Sequence, residues 1–105
     1  MIIKDWNIEA MTGYKPITSF YRDFSIADKF GINAVKDTYK RAFNEWKSDY
    51  KYLTELVMVL NWKSWEHENN GEYCKLYCNL FYELQDYAYK NLKGEELNYF
   101  IRTTD

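Results

Sequence analysis

Apolar residues recur every three or four positions along most of this 105-residue chain, the spacing that keeps one face of an α-helix dry. The clearest run comes late. Tyr73, Leu76, Tyr77, Leu80, Leu84, Tyr87 and Ala88 share an arc of about 120° at 100° per residue. A second arc beside it carries Cys74, Cys78, Phe81, Tyr82, Gln85 and Tyr89, which leaves Lys75, Asn79, Glu83, Asp86 and Lys90 for a polar strip. A helix with so narrow a polar strip should touch two neighbours, or one neighbour and a partner. The segment from about 50 to 68 has its main stripe at Leu53, Leu56, Val57 and Leu60, while Tyr52, Met58, Val59, Trp62 and Trp65 point elsewhere around the axis. Apolar character on more than one side predicts a central helix.

Earlier elements follow from caps and breakers. Asn33 can cap a helix with Val35, Tyr39, Ala42, Phe43 and Trp46 on its buried face, and Asp49 allows a break after it. Ser25 with Asp28 matches a capping box ahead of Ile26, Ala27 and Phe30, and Gly31 reads as a stop, so one broken or two short helices are expected from 18 to 30. Residues 1–17, with Thr12, Gly13, Tyr14, Lys15 and Pro16 in succession, read as an irregular lead-in. Asn69, Asn70 and Gly71 form the strongest loop signal. Gly94 stops the long helix, and Glu95 and Glu96 open a last one carrying Leu97, Phe100 and Ile101. The expectation is an all-α, single-domain bundle of four to five helices, with the central and penultimate helices at its heart.

Composition narrows the class of function. A chain with 47% hydrophobic and 29% charged residues, one Pro and four Gly can close a core without staples and has few of the turn residues that a β-sandwich needs. Its net charge of −2 is too small to steer nucleic acid or to imitate it broadly. The polarity is uneven: residues 1–65 hold ten Lys/Arg against eight Asp/Glu, and residues 66–105 hold four against eight. No apolar run is long enough for a membrane span and no leader pattern opens the chain, so a cytoplasmic protein with reduced Cys74 and Cys78 is expected.

Candidate chemistry is thin. His67 lies among Glu66, Glu68 and Glu72 and ahead of Cys74 and Cys78, but a tetrahedral zinc site wants a second Cys or His pair that this sequence lacks. The two cysteines read better as small apolar fillers, so no metal and no cofactor is expected. Neither a nucleophile motif nor a phosphate-cradling glycine loop occurs, and no catalytic residues are assigned. Residues 24–47 resemble a helix-turn-helix through Ala27 and Gly31, four apart. The seating positions 37 and 40 are instead Asp37 and Lys40, so this reads as a degenerate form and direct nucleic-acid binding is not the leading expectation. What stands out is the aromatic content: four Trp and eleven Tyr exceed what one small core encloses, and these rings supply anchor energy at interfaces. Trp62, Trp65, Tyr82 and Tyr89, with Glu83 and Asp86, are the candidate partner-binding residues.

The segments TGYKPITSFYRDFSIADKFG, DTYKRAFNEWKSDYKYLTELVMVLNWKSWEH and NLKGEELNYFIRTTD resemble small proteins of phages and conjugative elements of gut Firmicutes. Some proteins of that origin are anti-CRISPR inhibitors of type II-A Cas9. The resemblance implies a non-catalytic, stoichiometric inhibitor that covers a surface of Cas9 with its guide RNA, and it carries over no individual residue. A DNA-binding regulator using residues 24–47 is the alternative, and a small metal-dependent or other enzyme stands third.

Overall fold

Five α-helices occupy the residues that the computed structural model describes, 16–104, and no strand occurs among them. They are α1 (Pro16–Asp28), α2 (Ile32–Trp46), α3 (Tyr50–Glu66), α4 (Gly71–Asn91) and α5 (Glu95–Thr104). The all-α bundle expected from the pattern is therefore the observed architecture, with five helices among the described residues.

Local chemistry sets the boundaries. Asp49 caps α3 by accepting from the backbone N–H of Lys51 at 3.0 Å and of Tyr52 at 3.2 Å, which satisfies two of the donors that every helix start leaves open. Asn70 plays the same part for α4 through the Tyr73 N–H. Gly31 precedes α2 with φ 113° and ψ 179° and makes no side-chain cap bond, so it serves there for its backbone freedom alone. Gly94, at φ 60°, turns the chain from α4 into α5.

Four expectations change. The stretch from 18 to 30 is one continuous helix to Asp28, because Phe20, Phe24 and Ala27, spaced by four and three, all bury on one face. Ser25 lies inside that helix rather than capping a second one, and α2 begins at Ile32, which places Asn33 in its first turn. The last two residues of the expected lead-in are helical, since α1 opens at Pro16, where a missing N–H costs nothing. The rest of that lead-in, 1–15, lies outside the described residues. The long helix also ends sooner than Gly94 suggested, at Asn91, because Leu92 turns inward and is buried.

The core draws on every helix. Phe20, Phe24 and Ala27 come from α1, Val35 and Tyr39 from α2, and Phe100 from α5. Between them lie Leu53, Leu56, Val57, Val59 and Leu60 of α3, and Tyr77, Leu80, Leu84 and Ala88 of α4. Helix α3 packs against all four others, most extensively against α4, as its two-sided apolar pattern requires. In α2 the buried positions are Val35, Thr38 and Tyr39, with Asp37 and Lys40 exposed. The residues that would seat a helix-turn-helix thus point to solvent, and the phase read from the sequence holds.

Candidate interaction surface and a buried polar clasp

Aromatic rings remain open at several places on this bundle. Trp65 is 69% exposed, Tyr82 63% and Tyr89 49%, and Phe30, in the α1–α2 turn, reaches 78%. Of the other described Trp and Tyr rings only Tyr39 and Tyr77 are fully buried, the rest being half-covered. The surplus inferred from composition is therefore real. Tyr82, Asp86 and Tyr89 follow one another at four and three residues, so they share the solvent face of α4. Tyr82 stands edge-on to Phe81 at 5.2 Å and Tyr89 edge-on to Phe100 of α5 at 5.7 Å, contacts that fix the rings without covering them. Asp86 pairs with Lys90 at 2.9 Å on that exposed face, an arrangement that adds little to stability.

The other predicted residues lie apart from this stripe. Trp65 occupies the last turn of α3, beside the loop to α4, whereas Tyr82 begins eleven residues into α4, about 16 Å along its axis. Trp62 is half-buried on α3. Glu83 is exposed at the edge of α4 that faces α2, close enough to Tyr39 for its charge, after burial itself, to push that phenol upward. The six residues thus do not make one patch: Trp62 is half-buried, Trp65 and Glu83 are open at separate places, and only Tyr82, Asp86 and Tyr89 form one stripe.

A second cluster, missed by sequence reasoning, joins α1, α3 and α4 beneath the surface. The Lys63 ammonium, 4% exposed, donates to Asp28 Oδ2 and Glu66 Oε2, both at 2.7 Å, and to Ser25 Oγ at 3.2 Å. His67 Nε2 lies 2.8 Å from the same Asp28 Oδ2, and the Tyr77 hydroxyl donates to Oδ1 at 2.6 Å. Tyr73 donates to the Asp28 backbone carbonyl at 3.2 Å, and Tyr21 to Glu66 Oε1 at 2.5 Å. The His67 ring stacks on Tyr73 and Tyr77, and Lys63 sits over the Tyr21 ring at 5.1 Å. A carboxylate accepts only, so His67 must carry its proton on Nε2 to hold this contact.

Electrostatics follow the geometry. Burial alone would raise the Asp28 carboxyl, but hydrogen bonds from Lys63, Tyr77 and His67, with the Lys63 charge, outweigh it and hold the group below its ordinary 3.8. Burial, then the Glu66 hydrogen bond and charge, push the Tyr21 phenol to about 12. Tyr77 is driven up as well, by burial and by the Asp28 carboxylate that accepts its proton. These groups therefore hold fixed protonation states through the neutral range, and their polar atoms point at one another, which suits a clasp. Two signals in the sequence pointed to it. Lys63 lies three residues after Leu60 and four after Val59, inside the apolar stripe of α3, where a cation demands a partner. Asp28 lies in the last turn of α1, where the helix dipole disfavours a carboxylate, so a cation from elsewhere must hold it.

The cysteines fit their role as fillers. Cys74 and Cys78 are free and half-buried, and desolvation together with the neighbouring Cys78 pushes the Cys74 thiol upward, away from thiolate. Among the described residues no group of three His, Cys, Asp or Glu side chains is arranged to hold a metal ion, and no helix is long and apolar enough to cross a membrane. Neither a protein-family model, nor a curated protein, nor a solved structure matches this chain.

Proposed function

We propose that this protein acts by binding another protein, and that it is a stoichiometric inhibitor of Cas9 from a mobile genetic element, in line with the resemblance of its sequence. The observation that carries the binding reading is the set of open rings: Phe30, Trp65, Tyr82 and Tyr89 are between half and four-fifths exposed on a chain that has ample core elsewhere. Large amphipathic rings left uncovered are the residues that dominate binding energy when a partner closes over them. The polar clasp supports this indirectly, because its titratable groups are spent on holding three helices together.

Inhibition would then be occlusion: the protein covers a surface that Cas9 with guide RNA needs for recognising or cutting DNA. A cleavage assay with increasing protein tests this directly. Cleavage should fall to completion near one equivalent per Cas9, and the two should co-elute. Full cleavage by several Cas9 orthologues at large molar excess would remove the inhibitor reading. Retardation of generic duplex DNA that weakens steeply with salt would instead favour the regulator reading, carried by Lys36, Lys40, Arg41 and Lys47 on and just after α2.

A further inference from the structure

Between helices α2 and α4 lies a groove of about 420 Å³. Tyr39 and Leu80 form its floor, and the half-buried Phe43, Leu76 and Tyr87 form its walls. Phe43 meets Tyr87 edge-on at 4.9 Å, and Glu83 lies near Tyr39. Both pairs join residues at the same step of four, so the two helices run side by side in the same sense.

The rims differ in sign. On the α2 side Lys36 and Lys40 are exposed one turn apart and make no ion pair among the described residues, and Lys47 leans over the Phe43 ring at 5.6 Å. On the α4 side the charged rim residue is Glu83. The groove is therefore a cationic place on a chain whose net charge is −2. We infer that it is the docking site for an amphipathic, net-acidic helix of a protein partner. That inference rests on the protein-binding reading and adds a second place of contact beside the open rings.

Dimensions and charge select this occupant. Residues Lys36 to Asn44 and Leu76 to Tyr87 span about 12 and 16 Å of helix, the reach of three apolar anchors spaced at i, i+3 or i+4, and i+7 on an incoming helix. A third helix laid over two parallel ones seats its ridge in their groove at ordinary packing distance. Its carboxylates would face Lys36 and Lys40, and a single cation would face Glu83, so the charge pattern also fixes the direction in which it lies. A nucleic-acid strand carries one sign only and would meet Glu83 with phosphate. A second copy of this chain would set one groove against another and leave both floors unfilled.

The test uses the full chain and a fluorescein-labelled designed 14-residue helical peptide with three leucine anchors, glutamates on one flank and one lysine on the other. Fluorescence anisotropy should report saturable binding to the protein that weakens with salt, and NMR shift changes should fall on α2 and α4 at the groove. Lys36→Glu with Lys40→Glu, both on exposed positions that leave the core intact, should weaken the acidic peptide about tenfold and improve a peptide whose glutamates are replaced by lysine. Arg102→Ala, exposed on α5 and outside the groove, should leave the titration unchanged. Equal binding of the acidic and lysine-flanked peptides, no binding up to about 1 mM, displacement of the peptide by duplex DNA, or a dimer in ultracentrifugation abolished by the double charge reversal would each overturn the assignment. The probe is a peptide and not Cas9, so a negative cleavage assay beside a positive titration discards the inhibitor reading alone, and the converse result discards the groove alone.

Discussion

Lys63 is the side chain on which the most depends. It lies on the inner face of α3, its ammonium held by carboxylates from α1 and from its own last turn. Replacing it by alanine leaves Asp28 largely dry without a cation, and breaking a buried pair in this way costs about 3 kcal/mol. Chemical denaturation of Lys63→Ala should show that loss at neutral pH. The pH dependence has a definite sign. The folded Asp28 carboxyl titrates below its ordinary 3.8, so the unfolded chain binds its proton first as pH falls. The stabilisation is complete above the unfolded value and disappears as acid takes the pH down through the folded one. Wild-type stability should therefore drop below about pH 4, and the drop should be smaller in Asp28→Asn. Lys63 was legible in the sequence only as an anomaly in an apolar stripe. Its partners, 35 and three residues away, were not, because one-dimensional spacing shows which face a charge is on and not what the fold brings to meet it.

At the scale of helices, periodicity carried the reading a long way and caps carried it less far. The stripes of α3 and α4 were visible because apolar burial imposes its period on sequence directly, and Leu53, Leu56, Val57, Leu60, Tyr77, Leu84 and Ala88 are all buried as that period requires. Around α1 a capping signal misled: Ser25 and Asp28 fit a helix start, yet Ser25 meets Lys63 and Asp28 joins the clasp. Polar residues three apart have two uses, and packing chose the tertiary one. Gly31 was read as a stop, and the backbone explains why it must be glycine. With φ 113° and ψ 179° it occupies a region nearly closed to side-chain-bearing residues, although a Cβ there would meet no atom. Gly31→Ala should thus lower stability by about 2 kcal/mol through backbone strain alone, seen as a reduced denaturation midpoint with an unchanged slope. Were the loss absent, the α1–α2 turn would have a second accessible shape.

For the whole molecule, the sequence established that rings would be left over and named several of them, but it could not say that they would be scattered. Tyr82 and Tyr89 line one helix face, Trp65 sits by the α3–α4 loop, and Phe30 by the α1–α2 turn. The groove between α2 and α4 escaped notice because it is lined by two helices that are far apart in sequence. If the α4 face is where the protein is gripped, Tyr82→Ala should weaken partner binding by about 2 kcal/mol, as a central anchor does, with helicity by circular dichroism unchanged. Tyr89→Ala should do the same while also losing roughly 1 kcal/mol of stability, since its ring rests on Phe100. A partner that binds both variants as tightly as the wild type would place the grip elsewhere on the surface.

The position of α3 has one more consequence. Every other helix uses it as a wall, so none can drift away without uncovering part of the same central rod. Such a body has no sound intermediate in which one half stays folded while the other melts. It loses its shape all at once or keeps all of it, and a partner that grips any one side steadies the whole.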